Sequence, residues 1–147
     1  MIRVAAVGDI HVGVDSAGQL RTRFGHLSQA ADVLLLAGDL TRCGSPDEAS
    51  VLVDELAGVG VPVVAVLGNH DYHSDREVEL RRILERGGVT VLEGESTVID
   101  VGGARLGVAG GKGFGGGFAG ACGSEFGERE MKAFMHHSRQ LAAGSGA

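Results

Sequence analysis

The sequence predicts an α/β domain built around a parallel sheet. Three short apolar runs, residues 2–7, 33–37 and 61–67, are rich in β-branched side chains and nearly continuous. Such runs are typical of strands that are buried on both faces of a sheet. The segments between them are long enough for one helix with its loops, as parallel connections require. We therefore expect the first 90 residues to fold as βαβαβα, with each run as a central strand.

The connecting segments carry their own helix signals. Residues 19–31 place apolar side chains at helical spacing. Residues 45–48, Ser-Pro-Asp-Glu, form a capping box with proline at the first helical position, which predicts the start of a second helix. Residues 74–77, Ser-Asp-Arg-Glu, repeat the box before a third helix, and Gly87-Gly88 is expected to end it.

The pattern changes after residue 88. Residues 89–92 predict a further strand, and residues 96–101 and 104–109 predict a hairpin with a two-glycine turn. A glycine-rich loop follows, and residues 128–142 have the spacing of a last helix. The predicted architecture is thus a βαβαβα portion followed by a hairpin, a loop and a helix.

Composition limits the class of protein. The chain has 147 residues, of which 44% are apolar, and this is enough for one packed domain. A net charge of −6 disfavours a nucleic-acid partner, because attraction to the phosphate backbone is missing. Cys43 and Cys122 are too few for a disulfide framework, although a single bridge between them stays open. No signal peptide or membrane-spanning run is evident, so we expect a cytoplasmic protein without a membrane partner.

Polar side chains cluster directly after each of the three apolar runs. Asp9 and His11 follow the first run, Asp39 follows the second, and Asn69-His70-Asp71 follows the third. Because the carboxyl ends of parallel strands lie at the same edge of a sheet, these clusters are expected to converge. Asp9 alone would be better explained as a turn or helix-capping residue. The joint pattern favours a ligand-binding site.

The chemistry of these clusters points to metal ions. Carboxylate, imidazole and amide oxygen without thiolate suit manganese, iron or zinc better than a soft metal. Two ions about 3.5–4 Å apart can share a carboxylate and a hydroxide, and the hydroxide can then attack a phosphorus atom. The residue types therefore predict a site for divalent or trivalent metal ions, and a pair of such ions could act on a phosphate ester.

The three clusters also carry a family resemblance. Asp9-x-His11, then Gly38-Asp39, then Gly68-Asn69-His70-Asp71 resembles the signature of the calcineurin-like metallophosphoesterases. The resemblance implies that Asp9, His11, Asp39 and Asn69 bind metal, with Asp39 between both ions. It also implies that His70 acts on the phosphate and the leaving oxygen, and that Asp71 orients the imidazole of His70.

The same resemblance implies a fold and a reaction. The family has a β-sandwich flanked by helices and hydrolyses phosphate mono- or diesters with a hydroxide that bridges two metal ions. This sequence departs from the family where a later histidine and a Gly-His-x-His stretch are expected, because His136-His137 is adjacent and lies in a predicted helix. We therefore expect residues 1–147 to form one such domain that is incomplete at its carboxyl end.

Two other functions stay open. The chain could be a non-catalytic remnant that binds at most one metal and serves as a binding or interaction module, and homo-oligomer formation is also open. The second alternative is a nucleotide-binding domain that uses the glycine-rich loop. Residues 111–116 have the spacing of a dinucleotide fingerprint, but they follow a hairpin and precede no helix, which is the wrong context for a phosphate-binding loop. Lys112 in this loop and His73 after the third cluster are weaker candidates for substrate contacts.

Overall fold

The computed structural model describes residues 1–112, 117–118, 121–122 and 129–144. The helices are α1 Gln19–Phe24, α2 Leu27–Ala30, α3 Pro46–Leu56, α4 Glu77–Arg86 and α5 Arg129–Gly144. The strands are β1 Val4–Val7, β2 Val33–Ala37, β3 Val63–Val66, β4 Val89–Val91, β5 Glu95–Val101, β6 Ala104–Gly110, β7 Gly117–Phe118 and β8 Ala121–Cys122. Most of the glycine-rich loop considered above, residues 113–116, lies outside the described residues.

A parallel four-stranded sheet forms the centre of the fold. Its strands lie in the order β1-β2-β3-β4, so each strand is the neighbour of the one before it in the chain. Ala5 pairs with Leu34 and Leu36 with Ala65, which sets the register of the first three strands. The order and direction agree with the βαβαβα pattern, and the α/β fold class is confirmed.

One face of this sheet shares an apolar core with the crossover helices. Alternate residues of β2, such as Leu34 and Leu36, are about 1% exposed and belong to the same cluster as Leu52 of α3 and Leu80 of α4. Burying a leucine side chain of this kind contributes about 1.5–3 kcal/mol. The core therefore fixes the helices against the sheet and leaves the strand ends free for other chemistry.

The position of β1 differs from the prediction. We expected three central strands buried on both faces, but β1 lies at the edge of the sheet, and Val4 is 48% exposed. Its residues alternate between exposed and half-buried, whereas β2 and β3 are largely buried. An apolar run is equally compatible with an edge strand, and the sequence could not separate the two cases.

The predicted helix starts have different outcomes. The capping box before α3 is confirmed, because Ser45 Oγ accepts from the amide of Glu48 at 3.2 Å and a carboxylate oxygen of Glu48 accepts from the amide of Ser45 at 3.2 Å. The prediction of a second capping box at residues 74–77 is wrong. Ser74 Oγ instead donates to the carbonyl of Cys43 at 2.6 Å, and α4 begins after Arg76 without a side-chain cap.

The predicted helix over residues 19–31 is divided into α1 and α2. The amino end of α1 is capped from another element, since the buried carboxylate of Glu55 on α3 accepts from the amides of Gly18, Leu20 and Arg21 at 2.5–2.9 Å. These backbone hydrogen bonds, that of Arg21 above all, lower the pKa of Glu55. A cap from a distant residue is invisible in the local sequence.

The hairpin β5-β6 forms the second sheet, with the predicted Gly102-Gly103 turn. Helix α5, which carries the adjacent His136-His137 pair, lies against it, and the ring of His137 occupies the space that a side chain at Gly94 would need. Within the described residues, none of the helices combines the length and apolar character needed to span a bilayer.

An ion pair joins the beginnings of β1 and β2 and gives a pH-dependent prediction. Arg3 donates to the carboxylate of Asp32 through its side chain and its amide, which lowers the pKa of Asp32 from 3.8 to about 2. Because the folded pKa lies below the unfolded one, the stabilisation is present above about pH 4 and is lost as the pH falls towards 2. We expect Asp32→Asn to lower the urea midpoint at pH 6 more than at pH 2.5. An equal loss at both values would contradict this role.

Candidate metal centre

Backbone hydrogen bonds hold the first two strand-end loops together beyond the strands themselves. The amides of Asp9 and His11 donate to the carbonyls of Gly38 and Asp39 at 3.1 and 3.0 Å. Val12 forms an isolated parallel bridge with the residue that follows Leu40, and its amide donates to the Leu40 carbonyl at 2.9 Å. The sheet pairing thus continues into the loops and fixes the backbone of the predicted ligands.

Three predicted ligands adopt a backbone conformation that is rare for residues other than glycine. The φ angles of Asp9, His11 and Asp39 are 53°, 45° and 50°, in the left-handed region. Asp and His tolerate this region better than most residues, yet each such residue still costs on the order of 1–3 kcal/mol. Strain concentrated at the strand ends is typical of functional sites.

Two glycines make room for the carboxylate of Asp39. Gly38 has a φ of 84°, which turns the chain directly before Asp39. At Gly68 a Cβ atom would overlap Oδ1 of Asp39. Glycine at both positions is therefore required by the approach of the β2 and β3 loops.

The structure brings three metal-ligating side chains together at this edge of the sheet. One ligand atom each from His11, Asp39 and His70 lies within 4.8 Å of the other two. Two imidazoles and one carboxylate form a donor set that suits zinc, iron or manganese. The chemistry of these residues fits the metal ions that the sequence predicted.

The other two predicted ligands, Asp9 and Asn69, lie in the same strand-end loops but outside this group. Asp9 is exposed and is not part of the His11–Asp39–His70 set, although its backbone bonds to the residue before Asp39. Asn69 is also exposed and directly precedes His70. Their roles as ligands stay predictions, and His70, which we expected to act only on the substrate, lies within the ligand group.

The imidazole of His70 has a backbone partner. Its Nδ1 lies 2.9 Å from the carbonyl oxygen of Arg42, while the amide of His70 donates to Oδ1 of Asp39 at 2.9 Å. The expected contact between the ring and Asp71 is not formed. The acceptor beside His70 is a carbonyl in the loop after β2, and the sequence carries no signal for a main-chain partner.

Asp71 instead fixes the backbone of two loops. It has no exposed surface, and its two carboxylate oxygens accept from the amides of Leu40, Thr41 and Gly68 and from the hydroxyl of Thr41, at 2.6–3.0 Å. All four donors lie in the loops after β2 and β3. The carboxylate next to His70 therefore holds these loops against each other.

One further imidazole lies beside this group. The rings of His11 and His70 lie 4.5 Å apart between centroids in an edge-to-face arrangement, and the ring of His73 lies 4.5 Å from that of His70. A separate groove of about 640 Å³ lies between α4 and the β4–β5 segment, and no predicted site residue lines it. The candidate site is thus the open edge of the sheet and not this groove.

Comparison with known proteins identifies the family. The model of the calcineurin-like phosphoesterase family matches residues 2–113, and the chain belongs to this family. One relative is named a probable cyclic nucleotide phosphodiesterase, from Synechococcus sp.. The two sequences are 38% identical over an alignment of 80 residues. The alignment covers 48% of this chain and 31% of the relative. The matching part of the chain thus spans less than a third of that relative's length.

The buried carboxylate of Asp71 gives a stability prediction. In Asp71→Asn one oxygen becomes an NH₂ group, so two of the four donors lose their acceptor whichever way the amide is oriented. Each hydrogen bond to a charged group contributes about 1.5–3 kcal/mol, and we expect a loss of about 3 kcal/mol or more in urea unfolding. Asp54→Asn, at an exposed position, is the control. A loss below 1 kcal/mol for Asp71→Asn would contradict its anchoring role.

The ligand group gives a second prediction. Because Asp39 lies in the group and Asn69 beside it, Asp39→Asn should abolish the rise in Tm caused by Mn²⁺ more completely than Asn69→Ala. A ligand at about 100 times its Kd stabilises the folded state by about 2.7 kcal/mol, so the shift is measurable by calorimetry. Asp100→Asn, on the exposed face of the hairpin, should keep the full shift. Equal small effects from Asp39→Asn and Asn69→Ala would argue against a central role for Asp39.

Proposed function

We propose that this chain carries the metal-dependent hydrolytic site of a phosphoesterase, acting on phosphate mono- or diesters. The observation that carries the proposal is the His11–Asp39–His70 group at the carboxyl edge of a parallel sheet, in a chain of the calcineurin-like phosphoesterase family. Open sheets of this type bind ligands at that edge. The donor set and the family support the same chemistry.

The proposed metal ligands are Asp9, His11, Asp39 and Asn69. Oδ1 of Asp39 accepts from the amide of His70, and the carboxylate keeps further lone pairs with which it could bind a metal ion. The ions, two of manganese, iron or zinc in this proposal, would supply Lewis acidity and a bridging hydroxide as nucleophile. Asp9 and His11 hold their positions through the backbone bonds to the β2 loop.

The proposed role of His70 follows from its hydrogen bond. The Arg42 carbonyl can only accept, so Nδ1 of His70 carries a hydrogen atom in either charge state of the ring. This leaves Nε2 as the atom that holds the mobile proton. In the proposed reaction Nε2 gives this proton to the oxygen of the leaving group. Asp71 supports the step indirectly, because it fixes the loop from which His70 projects.

The relative suggests which esters to assay first. Its name assigns it a probable activity on cyclic nucleotides, which are phosphodiesters. We propose diesters as the preferred class for this chain, with cyclic nucleotides and an aryl phosphodiester as the first compounds. A net charge of −6 is consistent with small anionic substrates held by metal ions rather than by a basic surface.

The second candidate function is a non-catalytic module that binds one metal. It is favoured because the part of the chain that the structure describes contains one group of three possible metal ligands, enough for a single ion. The two functions differ in metal content and turnover. Two bound ions with turnover support the hydrolase, whereas one ion without turnover supports the binding module.

The test of the proposed function is the His70→Asn variant. It should lower turnover of an aryl phosphodiester by about 10²–10⁴, the usual contribution of a general acid, while the metal content stays nearly unchanged. A leaving group of low pKa needs little protonation and should reduce the defect. His26→Asn, at an exposed position before α2, is the matched control.

Two results would contradict this assignment. Loss of metal from the His70→Asn protein would make His70 a ligand, as its place in the ligand group allows. An equal defect for leaving groups of high and low pKa would exclude proton donation as its role. Metal counting and the leaving-group series therefore separate the two functions of the same side chain.

A further inference from the structure

Glu93 is a partly buried carboxylate that lies two residues beyond β4. Its Oε1 accepts from the amide of Leu67 at 3.1 Å, and its Oε2 accepts from the hydroxyl of Tyr72 at 2.5 Å. Leu67 directly follows β3, and Tyr72 ends the 3₁₀ turn His70–Tyr72. The two donors therefore bracket the short segment that carries Asn69 and His70.

The first of these bonds has a simple structural reason. The pairing of β3 with β4 ends where the amide of Leu92 donates to the carbonyl of Ala65, so the amide of Leu67 lies beyond the last strand residue on that side. The Glu93 side chain takes the place of the missing strand. A carboxylate that served only this amide would leave its second oxygen for solvent.

The second oxygen is used on the turn itself. Burial, followed by the hydrogen bond to Glu93, raises the pKa of Tyr72 well above its ordinary value, so the phenol stays protonated and remains a donor. The ammonium of Lys112 lies 5.1 Å from the centroid of the same ring, a cation–π distance. Tyr72 is thus held at its hydroxyl by the β4 side and on its face by the segment that follows β6.

We propose that Tyr72 and Glu93 form a brace that positions the turn carrying Asn69 and His70 for metal and substrate. Both are positioning residues, because in this proposal they act through the turn and do not themselves bind metal or substrate. The inference rests on the proposed function, since it assigns a partner to the turn of the same site. Side chains that orient metal ligands from outside typically change metal affinity or activity by 10–100-fold when they are replaced.

The experiment compares Tyr72→Phe, Glu93→Gln and the double variant in the full chain. Tyr72→Phe keeps the ring and its contact with Lys112 and removes only the hydroxyl. We expect each single variant to weaken Mn²⁺ binding or aryl-phosphodiester turnover by about 10-fold or more. The double variant should lose less than the sum of the two single variants, because Glu93→Gln weakens the hydrogen bond that Tyr72→Phe removes. Glu79→Gln is the matched control, since its exposed carboxylate binds Arg76 and not the turn.

A second readout needs neither metal nor activity. In the metal-free protein, long-range ¹H–¹⁵N NMR reports which ring nitrogen of His70 carries the hydrogen atom, and the bond to the Arg42 carbonyl sets it at Nδ1. Both brace variants should shift His70 towards a mixture of tautomers, and Glu79→Gln should not. Urea unfolding of the same proteins records any general loss of stability.

The outcomes separate the brace from the proposed function. A lower stability with unchanged His70 tautomer and unchanged Mn²⁺ affinity would overturn the brace and leave Glu93 as a purely structural cap. Additive losses in the double variant would also overturn it. If the wild-type chain neither binds metal nor turns over substrate, the proposed function fails, and the NMR comparison still decides whether Tyr72 and Glu93 position His70.

Discussion

The site depends on one buried carboxylate. Removing a carboxylate from water costs several kcal/mol, and this cost is offset only when every oxygen is well hydrogen-bonded. Asp71 meets the condition with four donors from the loops after β2 and β3. Because those donors are backbone amides and the hydroxyl of Thr41, the two loops have to adopt one relative position. The segment that places His70 beside Asp39 follows from this constraint.

The strained backbone has the same consequence. Asp9, His11 and Asp39 occupy left-handed conformations in the loops that follow β1 and β2. Their cost is offset by the ladder of amide–carbonyl bonds that continues from the sheet into the loops. The backbone of these three residues is thus fixed by the hydrogen bonds of the fold itself. The residue types serve both purposes, since Asp and His bind metal and also tolerate this backbone region.

The sequence predicted those features that depend on local pattern. The first six strands, the capping box at Ser45 and the hairpin with its two-glycine turn were correctly placed, because each depends on neighbouring residues, whereas β7 and β8 fall in the predicted glycine-rich loop. Convergence of the three polar clusters followed from the parallel sheet alone. The edge position of β1 was missed, since it depends on which strands pair and not on the composition of any one of them.

The misses at the site have a related cause. The role of Asp71 was taken from the family resemblance, but its hydrogen-bond partners are 3, 30 and 31 residues away. Ser74 has the spacing of a cap, yet its hydroxyl donates to the Cys43 carbonyl in the loop after β2 and caps no helix. The acceptor of His70 is a main-chain atom, for which any residue type at position 42 would serve. Contacts of this kind are fixed by tertiary distance and leave no trace in residue identity.

The two halves of the site are held with unequal rigidity. The turn with Asn69 and His70 is anchored to the β2 loop through Asp71 and to the end of β4 through Glu93, so its position is defined against strands on both sides. Asp9 and His11 follow the edge strand β1 and are held by the β2 loop alone among the described residues. An edge strand with one neighbour opens more readily than a central one, because fewer bonds must break. Differences in metal affinity between related chains should therefore arise first on the β1 side, while the side with Asn69 and His70 keeps its geometry.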